Sequence, residues 1–94
     1  MNYIKFNDFE CEVISFYKNT YFNQGTISGN ISCEIITNDF DGLQNLGSEK
    51  ITTITIRHDE DTIYSVANFS GQLASTTESL TDDHITININ LTIG

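Results

Sequence analysis

From His84 to Ile93 the chain alternates without a break. Ile85, Ile87, Ile89, Leu91 and Ile93 take one side, and Thr86, Asn88, Asn90 and Thr92 take the other. A period of two over this length specifies a β-strand with one buried face. The rest of the chain agrees with it. Ile, Thr, Asn and Ser make up nearly half of the 94 residues, and there is no Pro or Trp. β-Branched Ile and Thr suit a pleated surface, while Asn and Ser suit turns and solvated faces.

Further strands follow from the same pattern. Tyr3 to Asn7 reads as a short one. In Phe9-Glu10-Cys11-Glu12-Val13 the odd positions are apolar and the even ones acidic, and Asn7-Asp8 between these runs reads as a tight hairpin turn. Ile14 to Phe22 holds the densest aromatic stretch, with Phe16, Tyr17, Tyr21 and Phe22 around Lys18-Asn19. Asn23-Gln24-Gly25 marks a turn. Thr26 to Thr37 is the next strand, with Ile27, Ile31, Cys33 and Ile35 on one face. Gly29 falls on that apolar face, which predicts a bulge or a close backbone approach.

Asn38 to Gly47 changes character. Asn38 or Asp39 can cap a helix, Phe40, Leu43 and Leu46 recur at a spacing of three, and Gly47 is a natural stop. The spacing predicts one or two helical turns that lid one end of the core. Lys50 to His58 reads as a strand with Ile54 and Ile56 inward, Asp59-Glu60-Asp61 as a turn, and Thr62 to Phe69 as the returning strand. Ser75-Thr76-Thr77-Glu78 has capping-box spacing, which predicts a short helical turn through Leu80. The sum is a single all-β domain over residues 1–94. Its six or seven strands form a small antiparallel β-sandwich or barrel with one or two short helical turns.

Thirteen acidic against four basic residues give a formal charge of −9. Direct contact with nucleic acid needs clustered Lys and Arg, so it is not expected, and anionic membrane surfaces are disfavoured for the same reason. No apolar run approaches the ~20 residues of a membrane span, and the opening residues read as a strand rather than a signal peptide. Synthesis in a reducing cytoplasm is the expectation.

The chemistry-bearing residues are few. Cys11 and Cys33 lie on apolar faces of neighbouring strands. A cross-strand disulfide between them is conceivable, but two buried free thiols are the favoured reading. His58 and His84 each stand beside acidic residues, Asp59-Glu60-Asp61 and Asp82-Asp83. A divalent metal would require the two turns to meet, and no ligand spacing supports it. Asp39-Phe40-Asp41-Gly42 lacks the later ligands of a calcium loop. No nucleophile–base pair, phosphate loop or nucleophile elbow appears. The expectation is a protein that is not an enzyme and needs no cofactor or metal.

Phe16, Tyr17, Tyr21 and Phe22 are expected to contact partners, because aromatic residues are enriched at protein–protein contacts, and Asp59, Glu60 and Asp61 are the residues expected to meet a basic partner. The polar face of the last strand, Thr86, Asn88, Asn90 and Thr92, is a further surface for pairing with a neighbour.

The opening Ile4 to Val13, the ending Asp83 to Leu91, and between them Thr37-Asn38-Asp39-Phe40 and Ile63-Tyr64-Ser65-Val66 resemble small structural proteins of tailed bacteriophages, the tail, baseplate and head-associated components. That resemblance implies a virion location, many copies per particle, a β-sandwich or barrel core, no cofactor, and partners that are other virion proteins and the chain itself. Two other readings stand beside it. One is an acidic inhibitor or DNA mimic that captures a basic host nucleic-acid-binding protein. The other is a small carbohydrate-binding β-module.

Overall fold

The computed structural model describes residues 1–67, 70–78 and 84–93. Its elements are β1 (Asn2–Phe6), β2 (Phe9–Asn23), β3 (Thr26–Ile36), α1 (Phe40–Gly47), β4 (Ile54–His58), β5 (Asp61–Val66), β6 (Ser70–Glu78) and β7 (Ile85–Ile93). All seven strands pair antiparallel in one sheet, in the order β5-β4-β1-β2-β3-β7-β6. The all-β reading of the sequence therefore holds. The sheet is one open ribbon with two ends, neither closed into a barrel nor divided into two sheets.

The ribbon curls so that its inner face meets itself. β5 and β2 are not neighbours in the sheet, yet the rings of Tyr64 and Phe16 lie 5.6 Å apart across the fold. At the other end Ile51, on the approach to β4, exchanges two 2.8 Å backbone hydrogen bonds with Gly71 of β6. The space enclosed is filled mainly by branched aliphatic residues, with Phe6 among them. Ile4, Phe6, Ile31, Ile35, Ile51, Ile54, Ile87 and Ile89 are fully buried. The alternation of β7 lies at the heart of this core, as the sequence pattern demands: Ile85, Ile87, Ile89 and Leu91 all face it.

The turns are set by residues in left-handed backbone, most of them Asn, Asp or Gly, which tolerate it. Gln24 (φ 44°) and Gly25 (φ 87°) close the β2–β3 hairpin, and Asp59 (φ 54°) opens the β4–β5 turn. Asn7 (φ 53°) starts the two-residue β1–β2 turn. Its side chain then reaches the segment that leads into β4. Its carbonyl oxygen accepts from the Thr52 backbone N–H at 3.0 Å, and its amide donates to the Lys50 carbonyl at 2.9 Å. An Asn serves both needs, since it adopts positive φ more readily than most residues and carries a donor and an acceptor.

Gly29 marks a close approach. A Cβ there would collide with the carbonyl oxygen of Asn19 on β2. Helix α1 is capped by Asp39, whose side chain accepts from the Gly42 backbone N–H at 2.9 Å. Leu43 and Leu46 enter the core, whereas Phe40 remains 53% exposed. The helix lids one end of the core through two of its three apolar positions.

One local expectation is overturned. Ser75 to Glu78 does not begin a helical turn; it is the end of β6, paired with β7 from Ser75↔Asn88 to Glu78↔Ile85. Ser and Thr fit either state, and the backbone partners offered by β7 decide between them. The remainder of that expected turn, with Asp82 and Asp83, lies outside the described residues, as do Asn68 and Phe69.

Candidate functional site

β2 changes character part-way along. From Phe9 to Val13 the odd residues point inward: Cys11 and Val13 are buried. Between Val13 and Ser15 the pairing with β3 slips by one residue, leaving Ile14 as the extra residue of a β-bulge. A bulge of this kind inverts the side-chain parity. Beyond it the even residues face inward, so Phe16 opposes buried Cys33 and Lys18 opposes buried Ile31. Tyr17, Asn19 and Tyr21 face outward.

The four aromatic residues expected to act together are thereby divided. Phe16 is half-buried against the core and packs on Tyr64. Phe22 shares its parity but stands at the strand end, 78% exposed. Tyr17 and Tyr21 project from the opposite face, 66% and 57% exposed. The acidic turn is separate again. Asp59 and Glu60 form the exposed turn between β4 and β5, Asp61 is the exposed first residue of β5, and Asp59 lies 3.3 Å from the N-terminal ammonium group. The structure thus forms an outward tyrosine pair on β2 and does not merge all seven residues into one site.

The outer face around those tyrosines was only partly legible. Directly opposed residues in a sheet share a face. The registers give three rows across β2, β3, β7 and β6: Tyr17–Ser32–Asn88–Ser75, Asn19–Asn30–Asn90–Gln72 and Tyr21–Ser28–Thr92–Ser70. Every side chain in these rows is a hydroxyl or an amide. None is charged, on a chain of formal charge −9. A fourth row, Ser15–Glu34–Thr86–Thr77, brings in a single carboxylate at the border.

The outer face of the other half is charged. Arg57 on β4 donates two 3.1 Å hydrogen bonds to the Glu10 carboxylate on β2, and its guanidinium lies 4.3 Å from the centre of the Tyr3 ring. The Arg57 hydrogen bonds hold the Glu10 carboxyl below its ordinary range. Apart from Glu34 in the fourth row, charge on the outer face is therefore segregated to the β2–β1–β4 side of the sheet.

β2 is also an open edge. β1 pairs with it only from Phe9 to Glu12, so among the described residues nothing pairs with that side of β2 from Val13 to Asn23. Beside this edge is a shallow groove of about 180 Å³ lined by Asn2, Val13, Ile14, Phe16, Ile56 and Ile63. Ile63 is the extra residue of a second bulge, in the β4–β5 pairing. Ile14 and Ile63 are 44% and 60% exposed. Neither is among the residues the sequence marks for partner contact. A signal existed for Ile14: Phe9, Cys11 and Val13 are apolar at odd positions and Ile14 and Phe16 at even ones, a change of parity that marks a slip.

The remaining candidates resolve separately. Cys11 and Cys33 are buried free thiols, and desolvation pushes each up to about 12. Their thiolates are unavailable near neutral pH. His58 Nδ1 lies 2.7 Å from the Asn2 side-chain oxygen, and His84 Nδ1 lies 3.6 Å from Glu34. Among the described residues no three His, Cys, Asp or Glu side chains converge. Within the described residues, no helix is long and apolar enough to cross a membrane. Comparison with protein-family models, curated proteins and solved structures finds no match to this chain.

Proposed function

We propose that the chain is a non-enzymatic structural protein that acts through protein–protein contacts, assembling with copies of itself and with other subunits of a phage particle. The observation that carries the assembly reading is the second half of β2. It offers a strand edge from Val13 to Asn23 that is unpaired among the described residues, it projects two outward tyrosines, and it bears no carboxylate. Open edges are normally blunted by Pro, by exposed Lys or by cover. Here there is no Pro, and the one lysine, Lys18, is half-buried with its ammonium 3.2 Å from the Tyr64 hydroxyl. The assignment to a phage particle is supported by the sequence resemblance alone.

The test is the double variant Tyr17→Ser, Tyr21→Ser. Both side chains are largely exposed, so the fold should survive their loss. The reading predicts an unchanged thermal transition and weakened self-association in sedimentation. Association equal to that of the natural chain would remove the tyrosine strand from the account.

A further inference from the structure

We propose that two copies of this chain pack face to face across a two-fold axis, through the uncharged outer surface of β2, β3, β7 and β6. The inference rests on the assembly reading and names its contact.

The occupant follows from chemistry. A two-fold contact brings one patch against itself, so the patch must be self-complementary. A charged patch of one sign fails that condition. The three central rows meet it, because Asn, Gln, Ser, Thr and Tyr each carry a donor and an acceptor and none is ionised at neutral pH. On a chain of formal charge −9, this surface lets a second copy approach without setting carboxylate against carboxylate. A basic partner would gain nothing here and would favour the acidic turn or the Glu10 side of the sheet.

The geometry fits sheet-on-sheet packing. Residues of the rows are exposed or half-exposed and none is buried. Among the described residues two side-chain links join members of these rows: Asn88 donates to Ser75 at 3.1 Å, and the Tyr21 hydroxyl lies 3.4 Å from the Asn30 side-chain oxygen. Four strands at ~4.8 Å and five residues at ~3.4 Å make a plane of about 19 by 17 Å. That is less than half of the ~800 Å² each partner contributes to a standard interface. The pair is therefore weak and concentration-dependent, with Tyr17 and Tyr21 adding contact along one border.

The experiment uses two proteins, Asn90→Asp and Asn90→Lys, each checked for an unchanged fold by circular dichroism and studied by sedimentation equilibrium alone and mixed. Asn90 is exposed in the middle row. Each variant alone should need at least about tenfold higher concentration to dimerise, because its new charge meets its own copy across the axis. Asn90→Lys is the sharper case: it lowers the overall negative charge, which by itself would favour association. Mixing the two should restore dimers to within about threefold of the natural chain. If the natural chain associates and both variants match it, the face-to-face contact is wrong and the assembly reading survives. If the natural chain stays monomeric at about millimolar concentration, both fall.

Discussion

Ile14 and Ile63 are each the unpaired residue of a β-bulge, and they line the same groove beside the open edge of β2. Two irregularities in distant parts of the sequence thus place two exposed isoleucines together. Bulges next to functional surfaces commonly re-aim side chains. The double variant Ile14→Thr, Ile63→Thr should change stability by no more than ~0.5 kcal/mol per site, since both side chains are substantially exposed. If the groove takes part in assembly, the same variant weakens association. Calorimetry and sedimentation on one preparation separate the two effects.

Asn7 joins the first hairpin to the approach of β4. Substitution by Gly keeps the left-handed turn and removes the hydrogen bonds to Lys50, Thr52 and Thr53, an expected cost of about 1–2 kcal/mol. Substitution by Ala also places a Cβ at φ 53°, adding about 1–2 kcal/mol. The expected order of denaturant midpoints is Asn7, then Gly, then Ala. Equal midpoints for Gly and Ala would show that the turn carries no backbone strain.

The thiols predict an alkaline limit. In the unfolded chain Cys11 and Cys33 ionise near their ordinary value of 9.0, whereas in the folded chain burial holds both as neutral thiols up to about 12. The unfolded state therefore binds fewer protons across that window. Their contribution is fully present below pH 9 and falls, as pH rises towards 12, by about 1.4 kcal/mol per pH unit for each thiol. Urea unfolding from pH 8 to pH 10.5 should show this loss. Cys11→Ala with Cys33→Ala should be less stable at pH 8, having lost buried volume, but should show a flatter decline. An unchanged slope would assign the alkaline loss to other groups.

Much of this architecture could be read before the fold was known. The β7 alternation, the Asn7-Asp8 and Gln24-Gly25 turns, the Asp39 cap and the tight place at Gly29 are local signals, and each is where the sequence put it. The strand order was not legible, because pairing β3 with β7 and β1 with β4 depends on contacts far apart in sequence. Ser75 to Glu78 misled for a related reason: their local preference is nearly indifferent, and only β7 made them strand. The candidate site was half-visible. Thr86, Asn88, Asn90 and Thr92 stood out as one polar face, but their alignment with Ser28, Asn30 and Ser32, and with Tyr17 and Tyr21, needed the register. The Ile14 bulge decides which aromatic residues face outward. Without it, the parity of Phe9, Cys11 and Val13 would carry Tyr17 inward and Phe16 outward, the reverse of what is found.

The measurement that bears most directly on the central claim is the mass of the natural chain in solution by sedimentation equilibrium. It would run from about 10 µM to about 1 mM, at low salt and at about 0.15 M and above. The account predicts a reversible rise above the 10.6 kDa monomer with concentration. It also predicts that salt strengthens the association, because screening relieves the repulsion between chains of charge −9 while the uncharged contact face loses nothing. A chain that remains monomeric throughout, or an association that salt abolishes, would contradict it.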